Sequence, residues 1–253
     1  MKKLLRISIM LFLLLILLFF TFNASPVMSK QDEVYIEAFI REWKMTAACD
    51  SCHRDFDSEI RFISMVQDSV IKDIQHEQVS FSNAGNIRYY YENRKRFCFD
   101  RALLLEMLYR YYGFNVRHVF VYFRDDNTET RDLDFLKRKI YSHAMIEVKT
   151  QKGWMAVGTN HNWIGLDKTG QVLDIGQIRK ELTAHTLTLV KNPVTGTPFF
   201  ASLAQPSNYK FVYGLYSRHG EFLTSNPIEK WMHKAGIPSF IPDYNIRALC
   251  YNF

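Results

Sequence analysis

The chain begins with one long apolar stretch, then takes up a helical period, then a period of two. From Ile7 to Ser29 no residue is charged, and Leu, Ile and Phe dominate through Phe22. A run of this length approaches the roughly 20 residues that span a bilayer. Apolar positions then recur at helical spacing. Gln31–Asp57 reads as a helix carrying Val34, Ala38, Phe39 and Trp43, and Ser58–Gln75 as a second with Ile60, Phe62, Ile63, Val66, Val70 and Ile74 on one stripe. Ser80–Ala84 with Gly85 reads as a loop. The central helix is predicted from about Phe97 to Tyr112, apolar on several faces and therefore buried. Glu106 and Arg110 stand at the spacing of a surface ion pair, and Gly113 supplies the stop.

Beyond Gly113 the pattern alternates. Val116–Phe123, rich in β-branched and aromatic residues, reads as a strand. A polar loop over Arg124–Arg131 and a short helix over Leu133–Ile140 follow. His143–Lys149, the turn Gln151-Lys152-Gly153 and Trp154–Gly158 form a hairpin. Trp163–Leu166 and Gln171–Ile175, about Asp167-Lys168-Thr169-Gly170, carry a second hairpin signal. One more strand pair is expected within 208–223, and a last helix over Pro227–Lys234. The order predicts an α+β fold with helices first, an antiparallel sheet after, and one core. It divides into residues 1–30 as signal anchor or signal peptide, 31–85 as a helical extension and 86–253 as the main domain.

Charge changes little for the body and much for the N-terminus. The 253 residues carry a net charge of +6. Lys2, Lys3, Arg6 and Lys30 account for four of these, leaving 28 basic against 26 acidic residues elsewhere. That balance gives no reason to expect a nucleic-acid partner. Arg94-Lys95-Arg96 reads as a solvated loop. The basic residues ahead of the apolar run are expected to stay in the cytoplasm. Phe22-Asn23-Ala24 lacks a small residue at its first position, so an uncleaved anchor is favoured over a cleaved peptide. The expected location is the inner membrane, single-pass with the body periplasmic, or secreted if the N-terminus is removed.

Export makes disulfides admissible among Cys49, Cys52, Cys98 and Cys250. Cys49-Asp-Ser-Cys52-His53 permits a local disulfide. It also has the form of a c-type haem attachment site, with His53 as axial ligand and Met45 or Met65 as a distal one.

Cys98 carries the sharper chemistry. A thiol at a helix N-terminus meets unpaired N–H groups and the positive end of the backbone dipole, which favour thiolate, the nucleophilic form. His143 stands at a strand start in Ser142-His-Ala-Met-Ile-Glu-Val148, and the two read as a Cys–His couple. Cys98, Ala102, Leu105 and Gly113, then Val116-Arg117 entering a strand, then His143-Ala144, Met-Ile-Glu-Val and Gly153-Trp154 follow an order that resembles the transglutaminase-like, broadly papain-like, cysteine-protease superfamily. The resemblance implies a central helix packed on an antiparallel sheet, and cleavage or transfer of protein or peptide amides through an acyl-enzyme on Cys98 with His143 as base. It also implies an aspartate four residues after Trp154, where this chain has Gly158. Asn160 lies on the same face of an extended strand as position 158 and is the candidate to orient His143. His161, Asn162 and Asp167 are weaker candidates. A relative that kept the fold as a binding or scaffold domain is the alternative.

Overall fold

The structure is a computed structural model that describes residues 6–15, 28–45, 52–76, 86–123, 142–190, 198–204, 209–213, 217–218 and 221–222. The expected loops over Ser80–Ala84 and Arg124–Arg131, the expected helices over Leu133–Ile140 and Pro227–Lys234, and Cys49 and Cys250 lie outside the described residues. Helix α1 covers 6–15 with its side chains exposed, including Met10 and Phe12. Among the described residues no helix is long and apolar enough to cross a membrane.

Short polar residues start the helices that follow. Ser29 accepts from the Asp32 amide while the Asp32 carboxylate accepts from the Ser29 amide, a reciprocal box that begins α2 (Lys30–Glu42). Asp55 accepts from the Ser58 amide at 2.7 Å and caps α3 (Phe56–Asp73). Asn86 does the same for α4 (Ile87–Asn93) through the Tyr89 amide. Then α5 (Cys98–Tyr111) runs buried without interruption from Cys98 to Tyr109.

The helix predicted over Gln31–Asp57 ends early, at Glu42. Lys44 adopts a left-handed conformation at φ 56°, its amide returns to the Arg41 carbonyl, and the Met45 amide to that of Ile40. Those two bonds close a Schellman stop. Glu106 is also not a surface residue. It is 1 % exposed, pairs with Arg110 at 2.6 Å and lies 3.3 Å from His118 Nδ1.

Four antiparallel strands make the main sheet in the order β5-β4-β3-β6. They are β3 (Val116–Phe123), β4 (Ser142–Thr150), β5 (Gly153–Val157) and β6 (Tyr209–Tyr213). Two smaller pairs stand apart: β1 (Gln75–His76) parallel to β2 (Lys95–Arg96), and β7 (Ser217–Arg218) against β8 (Glu221–Phe222). The expected second hairpin reduces to single bridges, Val157 to Ile164 and Leu166 to Val172. Ile175 instead opens an unanticipated helix, α6 (Ile175–Thr183), capped by Asp174, and α7 (Pro198–Leu203) follows.

Alternation along the strands sorts side chains onto two covered faces rather than one. Val116, Phe120, Ala144, Ile146 and Val148 join α2, α3, α4 and α5 in one core. Val119, Val121 and Met145 join Trp163, Leu173, Ile178, Phe200 and Leu203 in a second. The expectation of a single core fails because helices also follow the sheet strands in sequence and cover the sheet's other face.

Candidate active site

Cys98 occupies the first turn of α5, where helix amides have no partners within the helix. The residue is buried, at 9 % exposure. Asp100, two residues on, accepts the Tyr90 hydroxyl at 2.5 Å and the Phe97 amide at 3.3 Å, so its carboxylate fixes the entry into the helix. The other end of α5 is closed by a Schellman motif. Gly113, at φ 85°, donates to the Arg110 carbonyl, Phe114 donates to that of Tyr109, and the Phe114 and Tyr109 rings meet edge to face. His53 Nε2 donates to the Tyr112 carbonyl at 2.6 Å and its ring lies on Phe114. The imidazole singled out as a possible haem ligand thus serves this helix end. Cys52 is a buried thiol. Among the described residues no cluster of side chains suited to a metal ion is found.

His143 lies near the start of β4, opposite Val121 of β3. Its partly exposed ring packs against Phe199 of α7 at 4.7 Å between centroids. Nε2 faces the Thr159 hydroxyl at 3.5 Å. That hydroxyl donates its single proton to the Ala144 carbonyl at 2.7 Å, so toward the ring it can only accept. In that arrangement Nε2 carries the hydrogen and the ring's lone pair lies on Nδ1.

Position 158 explains the missing aspartate. A Cβ on Gly158 would lie 2.5 Å from the His161 carbonyl oxygen and 2.6 Å from Trp163 Nε1. The indole fills the space a longer side chain would need. The turn that brings it there is closed by Gly158 donating to the Trp163 carbonyl at 3.0 Å, and Gln67 of α3 reaches both backbones, donating to the Gly158 and Trp163 carbonyls at 2.8 and 2.7 Å. Asn160 Oδ1 is buried, with no hydrogen-bond partner among the described residues. His161 and Asn162 are exposed, and the Asp167 carboxylate accepts from Thr169 and Gln171 in its own turn.

Thr159 also touches the cysteine's helix. Its carbonyl accepts from Arg101 at 3.2 Å, and Arg101 stands one turn after Cys98. No periodic pattern or motif marks Thr159 or Arg101 along the chain. Arg96, expected in a solvated loop, is 1 % exposed, with its guanidinium 4.2 Å from the Tyr89 ring centre and 4.5 Å from that of Tyr90. Flat aromatic faces replace water around that cation.

Residues 47–159 match the model of the transglutaminase-like superfamily. The matched stretch takes in α3, Cys98, His143 and Gly158 and ends at Thr159. Over that stretch, a little under half of the chain, the protein is similar to the transglutaminase-like superfamily. No curated protein and no solved structure matches it.

Proposed function

We propose that the protein is a thiol enzyme that cleaves or transfers protein or peptide amides, held at a membrane by its apolar N-terminus with the body outside the cytoplasm. The observation that carries the reading is Thr159, whose hydroxyl faces His143 and whose carbonyl binds the α5 turn that bears Cys98. His143 holds the proton released by Cys98 as Sγ attacks the amide carbonyl carbon, and the Cys98 backbone N–H steadies the oxygen as it becomes negative. The C–N bond breaks as the imidazolium of His143 returns a proton to the departing amine. Water or a second amine then attacks the thioester, giving acid or new amide and restoring the thiol.

A non-catalytic binding domain is the second reading, favoured by Trp163 standing where the family's aspartate would project. A fluorescent peptidyl acyloxymethyl ketone separates the two when applied to the full chain in detergent. The enzyme reading expects labelling that Cys98→Ala abolishes and His143→Ala slows by about 100-fold, within the range of a lost acid–base group. Labelling that is equal in wild type and Cys98→Ala overturns it.

A further inference from the structure

Arg101 is a buried cation. It is 3 % exposed, and its polar partners are the carbonyls of Thr159 and Ile74. Its Nε is buried with no hydrogen-bond partner among the described residues. Among the described residues no Asp or Glu forms an ion pair with it. An uncompensated buried charge is costly. Helical side chains lean back over the preceding turn, and for Arg101 that turn begins at Cys98. Burial pushes the Arg101 guanidinium down to about 10, and the one charge that opposes this is that of Cys98. The other ionic groups near this helix end are committed elsewhere: Asp100 to the Tyr90 hydroxyl, Arg96 to the two tyrosine rings. His143 of β4 faces Thr159.

We infer that Arg101 is the positioning residue that holds Cys98 as a thiolate, with the sulfur as the counter-ion of its guanidinium. The pair would exist whether or not His143 is protonated, and this is where it departs from a couple that shares one proton between sulfur and imidazole. It deepens the enzyme reading of the same site and rests on it only for catalytic meaning. With a standing thiolate, His143 is left to protonate the leaving amine and to activate the second nucleophile.

The test is the pH profile of iodoacetamide alkylation at Cys98 in the full chain, read by mass spectrometry of the Cys98 peptide. Arg101→Met is expected to move the midpoint up by at least one pH unit, and Arg101→Lys to recover most of that shift because the charge is retained. His143→Ala is expected to leave the larger part of the low midpoint in place. An Arg101→Met profile that superimposes on wild type overturns the inference, as does a His143→Ala profile that moves all the way to the ordinary thiol range. Should Arg101→Met not fold, Cys98→Asp and Cys98→Asn form a pair of nearly equal shape. The aspartate variant is expected to melt several degrees higher at neutral pH, and equal melting overturns the inference. A chain whose Cys98 alkylates as a thiolate but takes no amide-mimicking probe supports the ion pair while sinking the enzyme reading, so the two failures are distinct.

Discussion

A hydroxyl and a carboxylate hold an imidazole by different means. A carboxylate both accepts from the ring and stabilises its positive form, whereas a hydroxyl can accept from the ring but brings no charge to it. Thr159 accepts toward His143 because the Ala144 carbonyl takes its proton, so the tautomer is fixed by a bond made behind the ring. The contact of 3.5 Å is long, and its worth lies in orientation more than in charge. Thr159→Val keeps the shape and removes the acceptor. It is expected to slow ketone-probe labelling of Cys98 by about 10–100-fold, the usual size of an outer-shell effect, with a stability loss of about 1 kcal/mol from the lost Ala144 bond. Unchanged labelling would leave the hydroxyl without an orienting role. Cys98 and His143 were legible because each sits at an element boundary with a motif around it. Thr159, Arg101 and Trp163 were not, since their roles depend on a turn that brings Trp163 back across Gly158, and no local pattern encodes that approach.

Helix ends show how an element can be read well or badly. The stop of α5 was legible because glycine stands at its left-handed position, Gly113. Lys44 ends α2, Arg94 ends α4 and His185 ends α6 in the same left-handed region, at φ 56°, 54° and 57°, without a glycine to announce it. The sequence pattern accordingly overruns the end of α2 and carries no sign of α4 or α6. Each of these residues accepts the strain because the closing bonds recover it, as when Thr186 donates to the Glu181 carbonyl and His185 to that of Leu182. At Gly113 the logic can be tested by substitution. Its φ of 85° suits glycine, and a Cβ there meets His53 Nε2 at 3.6 Å, an ordinary contact. Gly113→Ala is therefore expected to cost about 1 kcal/mol, all of it backbone strain. Urea denaturation measures this, and a loss near zero would mean that the α5 terminus relaxes to another conformation.

At the scale of the whole molecule, the two covered faces of the sheet need polar groups that tie one layer to the next. The α+β class and the central-helix-on-sheet arrangement were legible from the change of period. The second covered face was not, because strands covered on both faces give little polar–apolar alternation to read. Glu147 performs the tying on that second face. Fully buried on β4, it accepts from Arg117 of β3 at 2.5 Å and from the Ile175 amide at the start of α6 at 2.8 Å. Arg117 also stacks on Trp154, 4.4 Å from the ring centre. Burial pushes the Glu147 carboxyl above its ordinary range, against the opposing pull of Arg117 and the Ile175 amide. The folded chain therefore holds this proton more tightly than the unfolded chain. Between the two titration points the native state binds more protons, so this group's contribution to stability grows as pH falls and is lost as pH rises through the folded value. Arg117→Met removes the main attraction that offsets burial and leaves the carboxylate in an apolar layer with the Ile175 amide but no counter-charge from Arg117. The expected cost is about 3–5 kcal/mol at neutral pH, the usual penalty for one half of a buried ion pair. Lowering the pH from 7.5 to 5.5 is expected to narrow the gap to wild type as Glu147 takes up its proton, leaving the pH-independent loss of the Trp154 stack. Urea midpoints at the two pH values measure it, and adding Glu147→Gln to the variant should abolish the pH dependence. A gap that stays constant across this range would mean that Glu147 reaches water once Arg117 is gone, and that the layer is less closed than its packing implies.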